Sequence, residues 1–273
     1  MRDDPGHLVT AEWLNAHVDD VVVADIRWYL DGRSGRDAYT AGHIPGAVFV
    51  DLDEHLSAPP GETGRHPLPS PAGFARAMGS LGISNDAVVI AYDDAGGLVA
   101  ARFWWMLRSI GTTAAVLDGG IQSWSGDLET DQPSIEPTRF QPRPWDPGRF
   151  VTADQVAQRS SDVLLVDARS RERYHGTPNQ IDPRFGHIPG ALNLPFSSNV
   201  GDNHVFLAGT ELAKRYAELG IDADSEVIAY CGSGVSACGD LLGLTEAGVH
   251  DLKLYVGSWS EWGADPSRPL ETS

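Results

Sequence analysis

The sequence predicts an α/β fold: two tandem domains of one kind, each a small parallel sheet with helices on both faces. Three observations support it: an internal repeat, a proline-rich seam between the copies, and short apolar runs alternating with helical stretches. His43-Ile44-Pro45-Gly46-Ala47 returns as His187-Ile188-Pro189-Gly190-Ala191, and Ile90-Ala91-Tyr92 returns as Ile228-Ala229-Tyr230. Residues 21–27 match 163–169, each run closing on Asp-x-Arg, and Gly119…Trp124 matches Gly257…Trp262. Four landmarks in one order at nearly one spacing mark a duplicated domain. Between Glu129 and Phe150 stand Pro133, Pro137, Pro142, Pro144 and Pro147, five of the chain's 18 prolines. That density suits an extended connector better than a helix or a central strand. The expected division is therefore 1–130, a linker over 131–149, and 150–273.

The elements of the second copy follow from their patterns. Residues 152–159 read as a helix and 163–166 as a buried strand. Residues 210–219 read as a helix, 227–230 as a strand, 235–244 as a helix and 251–255 as a further strand. Apolar runs of about four or five residues between helices of about ten indicate strands with no solvent face, as in a doubly covered parallel sheet. The 273 residues, 41% of them hydrophobic, can fill two such cores, at roughly 100–200 residues per domain. Eight Trp, seven Tyr and eight Phe exclude a disordered polyampholyte.

Charge narrows the function classes. Twenty Lys and Arg against 38 Asp and Glu give a formal charge of −18 at pH 7. This argues against nucleic acid and anionic membrane as partners, since both need a basic face. An anionic substrate would need a local positive pocket. The two cysteines, Cys231 and Cys238, form neither a disulfide framework nor a CxxC zinc set, and the nine histidines show no HExxH. No metal is expected. The first residues hold no apolar leader-like stretch, and no run of ~18 apolar residues follows. A cytoplasmic, soluble protein is the expectation.

The chemistry concentrates at Cys231-Gly232-Ser233-Gly234-Val235-Ser236-Ala237, where a buried strand ends and a glycine-rich turn opens a helix. In open parallel sheets the ligand crevice lies at the carboxyl ends of the strands. Gly232 and Gly234 let successive N–H groups turn inward as an anion-binding nest, and the helix adds its positive end. A cysteine there has a lowered pKa and can carry a negatively charged persulfide. Gly232, Gly234, Val235 and Ser236 are accordingly the expected lining of the substrate site. Cys238, two turns along the helix, reads as core.

With both HIPGA motifs, both Asp-x-Arg strand ends and Gly257-Ser258-Trp259-Ser260-Glu261-Trp262, the chain resembles the two-domain rhodanese family of sulfurtransferases over nearly its whole length. The resemblance implies that the second copy is catalytic and the first is not, because Asp93 stands where Cys231 stands. It implies a ping-pong cycle in which Cys231 takes sulfur from a small-molecule donor and becomes a persulfide. The sulfur then passes to cyanide or a thiol, including a thioredoxin-like or other sulfur-acceptor protein. No cofactor is needed beyond that covalent intermediate. The loop Cys-Gly-Ser-Gly-Val-Ser-Ala resembles the 3-mercaptopyruvate version of the family, whereas the thiosulfate version carries basic residues after the cysteine. Ser233 would protonate the pyruvate enolate, and by resemblance His43 of the first HIPGA would hold Ser233. Asp31 and Asp37 flank Ser34, which falls near the position of the family's acidic third member. Arg173, and Arg184 as a second clamp, would bind the substrate carboxylate through guanidinium forks. Arg169, which follows the strand in both copies, reads as a fold residue, as do Trp124, Trp259 and Trp262.

Three alternatives stand beside 3-mercaptopyruvate sulfur transfer. A thiosulfate sulfurtransferase shares the persulfide. A non-enzymatic sulfur-relay or interaction module would keep the cysteine without a small donor. A cysteine phosphatase needs Cys-x5-Arg, and Ala237 stands where that arginine would be.

Overall fold

In the computed structural model, which describes residues 4–272, the chain forms two units. The first takes in the chain up to Ala58, Leu68–Trp145 and Asp202–Val205; the second takes in Pro59–Pro67, Asp146–Gly201 and everything from Phe206 on. Residues 59–67 of the first sequence repeat thus fold as part of the second unit.

In the first unit the strands are β1 (Leu8–Val9), β2 (Val22–Asp25), β3 (Val48–Phe49), β4 (Val88–Tyr92) and β5 (Thr113–Leu117). They pair in parallel in the order β1-β5-β4-β2-β3. All five residues of β4 are buried, which explains its unbroken apolar sequence. The helices are α1 (Ala11–His17), α2 (Gly35–Ala41), α3 (Leu52–His55), α4 (Pro71–Ser80) and α5 (Ala100–Ser109). Local chemistry starts several of them: Thr10, Ser34 and Ser70 accept N–H bonds at the N-termini of α1, α2 and α4, and Pro71 opens α4. The proline-rich stretch is irregular, as its composition predicts, but its first part is held to the first unit. Thr138 N–H bonds the Gly79 carbonyl, Trp145 Nε1 donates to the Pro69 carbonyl, and Phe140 packs edge-on to Phe74.

The second unit repeats the plan. Its strands are β6 (Phe150–Val151), β7 (Leu164–Asp167), β8 (Leu192–Asn193), β9 (Glu226–Tyr230) and β10 (Asp251–Tyr255), in the order β6-β10-β9-β7-β8. Its helices are α6 (Ala153–Ala157), α7 (Arg171–Tyr174), α8 (Gly209–Ala217), α9 (Ala237–Glu246) and α10 (Ser258–Trp262). A capping box of Thr152 and Gln155 opens α6. The core gathers Leu165, Ile188, Ile228, Tyr230, Tyr255, Trp259 and Trp262. The sequence pattern predicts the helix after β9 from residue 235; it begins at Ala237, because the residues before it form the turn after Cys231.

The repeated landmarks have a shared structural reason. Asp25, fully buried at the end of β2, is gripped by Arg27 and receives the Tyr92 hydroxyl at 2.8 Å. Tyr92 in turn accepts the N–H of Ile44, and Arg27 reaches the Gly42 carbonyl at 2.7 Å. Asp167, Arg169, Tyr230, Ile188 and Gly186 build the same knot in the second unit. Each Asp-x-Arg therefore ties its HIPGA turn to its sheet, and removing one partner of such a buried pair costs about 3–5 kcal/mol. No helix among the described residues is long and apolar enough to cross a membrane.

Candidate active site

β9 delivers Cys231 to the carboxyl end of the second sheet, and the chain then turns through 231–236 into α9. Cys231 is 2% exposed. Burial alone would push its thiol pKa up. The Ser236 hydroxyl and the N–H groups of Ala237, Ser233 and Val235 outweigh that and hold it below a thiol's usual value. Gly234 sits at φ 73°, the left-handed conformation this turn requires. The turn rests on the start of α10: Trp259 N–H bonds the Cys231 carbonyl, Ser260 N–H bonds the Gly232 carbonyl, and Cys231 N–H donates to Ser258 Oγ at 3.1 Å.

The first unit has the corresponding cradle, filled differently. Tyr92 pairs with Asp25 across β4 and β2 as Tyr230 pairs with Asp167 across β9 and β7, which puts Asp93 in the place of Cys231. Its Oδ1 accepts the N–H groups of Ala95 and Gly97, both at 2.8 Å, and its Oδ2 those of Val99 and Ala100 at 2.8 and 2.9 Å. A carboxylate occupies the nest there, where the second unit offers a sulfur.

Ser233, 6% exposed, has its Oγ 2.8 Å from Nδ1 of His66. This corrects the sequence-based pairing with His43. His43 lies in the first unit, stacked on Tyr39 with its Nδ1 at the Tyr39 carbonyl, 3.0 Å away. His187 makes the same contacts with Tyr174, so the motif histidine serves the HIPGA turn in both copies. Asp31 pairs with exposed Arg33, and Asp37 lies in the first turn of α2. His66 arrives on a tight turn closed by reciprocal bonds between Gly61 and Gly64, with Arg65 N–H anchored on Ser260 Oγ at 3.0 Å.

Two guanidiniums, one of them expected, meet the turn. A Cβ added at Gly232 would lie 2.9 Å from Nη2 of Arg173 and 3.0 Å from Nη2 of Arg65. The loop's own sequence carries no charge, but the site does. Arg184 is a correction: its Nε and Nη2 donate to the carbonyls of Gly263, Trp262, Asp265 and Arg268 at 2.7–3.1 Å. Both nitrogens are thus taken up by main-chain carbonyls at and beyond the carboxyl end of α10. Cys238 is buried with Sγ 3.5 Å from the Gly234 carbonyl.

Sequence reasoning missed Arg65, His66 and Asp240. Asp240, fully buried in the first turn of α9, accepts Asn199 Nδ2 at 2.7 Å, and burial pushes its carboxyl well above the usual range. The signal for the other two was a glycine-bounded turn followed by Arg-His, outside any repeated motif. Among the described residues no group of three or more His, Cys, Asp or Glu could hold a metal.

Comparison with known proteins agrees with this geometry. A rhodanese-like domain model matches residues 10–127 and again 152–265. The "Probable 3-mercaptopyruvate sulfurtransferase" of Pseudomonas aeruginosa is 42% identical, over 97% of this chain and 98% of its own. The thiosulfate sulfurtransferase of Bos taurus is 37% identical, over 93% and 91%. Among solved structures, a 3-mercaptopyruvate sulfurtransferase from Leishmania major superposes with a TM-score of 0.85 at 30% identity, covering 96% of this chain and 75% of that one.

Proposed function

This chain belongs to the rhodanese-like sulfurtransferases, and on that premise we propose that Cys231 carries sulfur from 3-mercaptopyruvate to cyanide or a thiol. The Cys231 thiolate attacks the donor's sulfur, the new S–S bond forms as the C–S bond breaks, and the electron pair leaves on carbon as pyruvate enolate. Ser233 gives that carbon a proton, and His66 restores the proton to Ser233. In the second half-reaction the acceptor attacks the outer sulfur, and the S–S electron pair returns to Cys231. The turn's N–H groups stabilise the sulfur anion in both states.

The observation that carries this reading is the Ser233–His66 contact at 2.8 Å in the turn that follows Cys231. A proton donor with its own relay is useful to a donor that leaves as a carbanion and useless to thiosulfate, which leaves as sulfite. The test is intact mass after incubation with 3-mercaptopyruvate. One sulfur should be added, and Cys231→Ala should abolish it; an adduct on Cys238 would overturn the assignment. Ser233→Ala should slow the mercaptopyruvate reaction about 10–100-fold and the thiosulfate reaction much less. Thiosulfate is the second reading, favoured by the two guanidiniums against Gly232, and equal loss with both donors would support it. Two buried free cysteines and a persulfide that needs a thiol acceptor fit the reducing cytoplasm.

A further inference from the structure

We propose that Asp240 is a positioning residue for the sulfur chemistry: it stays a neutral acid while Cys231 carries the anion, and its ionisation closes the site's working range on the alkaline side. The inference rests on the sulfur-transfer reading and adds the group that limits it.

Asp240 stands in the first turn of α9, the helix whose opening N–H groups hold the sulfur anion. Its carboxyl makes one hydrogen bond. Oδ1 accepts Asn199 Nδ2 at 2.7 Å, and Asn199 Oδ1 in turn accepts the Tyr216 hydroxyl at 2.9 Å. All three side chains are buried, and Asp240 Oδ2 has no hydrogen-bond partner. α9 is shaped to close over this chain: a Cβ at Gly243 would overlap the Tyr216 hydroxyl, and one at Gly239 the Phe196 ring. A buried carboxylate needs several donors or a cation to stay ionised. Asp240 has neither.

The charges that face it are of its own sign. Cys231 follows β9, and Asp167 of β7 is already clamped by Arg169; both anions oppose ionisation of Asp240. On α8, Arg215 is exposed and paired with Glu211, and residues 196–199 offer only the neutral Asn199. Lys253 of β10 pairs with Glu226 at the amino end of β9, the end away from Cys231. The positive end of α9 favours a carboxylate by much less than burial costs one, so the Asp240 carboxyl is held well above the usual range.

The first unit shows the contrast. Arg102 of α5 stands to Asp93 in sequence as Asp240 stands to Cys231, is as deeply buried, and reaches the Leu56 carbonyl at 3.4 Å. A permanent carboxylate in the cradle is followed by a cation; a sulfur that must attack and be attacked is followed by an acid. A buried cation beside the thiolate would lower its pKa further, and nucleophilicity falls with the pKa of the attacking thiol. A neutral acid leaves the sulfur to the N–H groups. Once Asp240 ionises, the cradle holds two anions and an anionic donor is repelled.

The test uses the full chain and the loading of Cys231 by thiosulfate, a donor that does not itself titrate near neutral pH, followed by intact mass. Between about pH 7 and pH 10 the loading rate of the parent should fall about fivefold or more, the effect of one strongly coupled like charge. Asp240→Asn keeps the shape and an acceptor for Asn199, and Asp240→Ser is a second variant with no titrating group. Each should hold its own rate within about twofold across that range. Stability gives an independent readout. The folded protein keeps a proton on Asp240 that the unfolded chain releases above about pH 4, so stability is lost as pH rises towards the folded-state value. The Tm of Asp240→Asn should therefore gain on that of the parent between about pH 5 and pH 9, whereas a purely structural role gives a difference that pH does not move. The proposal falls if the parent shows no alkaline fall, if the fall persists in either variant, or if the Tm difference is flat. If the parent gains no sulfur on Cys231 from thiosulfate or 3-mercaptopyruvate, the sulfur-transfer reading itself fails.

Discussion

At Cys231 two opposing effects meet, and the hydrogen bonds win. Ser236 is the largest of the groups that favour the thiolate, so its removal should be visible as a change of pH dependence. A depressed pKa means the thiolate persists to lower pH, and loss of a stabilising donor moves its titration upward. Alkylation of Cys231 by iodoacetamide should therefore titrate below an ordinary thiol, and Ser236→Ala should raise that midpoint by about one to two pH units. That range follows from about 1.5–3 kcal/mol for a hydrogen bond to a charged group. An unmoved midpoint would assign the low pKa to the main-chain N–H groups alone. Ser258 makes a second residue-level case. It is held at φ 52°, in the left-handed region where the first unit places Gly120 at φ 60°. It tolerates that strain because its Oγ accepts Cys231 N–H and donates to the Tyr255 carbonyl. Ser258→Ala keeps the strain and loses both bonds, so urea unfolding should show about 1–3 kcal/mol of lost stability; Ser258→Gly, which relieves the backbone, should lose less.

Among the elements, those that repeat were legible from sequence and those that cross between repeats were not. The runs 163–166, 227–230 and 251–255 could be read as strands because burial on both faces leaves no polar alternation, and the turn after Cys231 because glycines there serve a stated purpose. Ser233 was legible as a residue of the turn after Cys231, but its partner was not, since His66 lies 167 residues away in the chain and no local pattern encodes that distance. His43 drew attention by repeating, and the repeat was the sign of its role in the turn. Arg184 was misread for a related reason: an arginine near a substrate loop looks like a clamp until its four carbonyl partners are seen. Those partners make a prediction at this scale. Arg184→Ala should leave the end of α10 uncapped and cost about 2–3 kcal/mol of stability, with kcat/KM for either donor nearly unchanged at temperatures where the protein stays folded. A large KM effect at full stability would restore Arg184 to the site.

For the whole molecule, duplication followed by divergence of the two cradles leaves a division of labour. Asp93 satisfies the first unit's inward N–H groups permanently, whereas Cys231 leaves the second unit's available to a sulfur that comes and goes. Yet the second sequence copy is not self-sufficient, because the second unit includes Pro59–Pro67 from the first. A fragment of residues 146–273 holds all five strands of its sheet and the whole of its core cluster, so circular dichroism should show a folded α/β domain. It lacks Arg65 and His66, and with them one of the two guanidiniums that stand against Gly232 and the partner of Ser233. Turnover of 3-mercaptopyruvate should therefore drop at least as far as in the full-length double variant Arg65→Gln, His66→Ala, while Cys231 should still be alkylated, since every group that lowers its pKa lies within the fragment. A folded fragment that retains full turnover would show that the 59–67 segment is dispensable. Equal loss of alkylation and turnover would instead place the defect in the cradle itself, making the segment a support for the Cys231 turn as well as a source of its charge and proton relay.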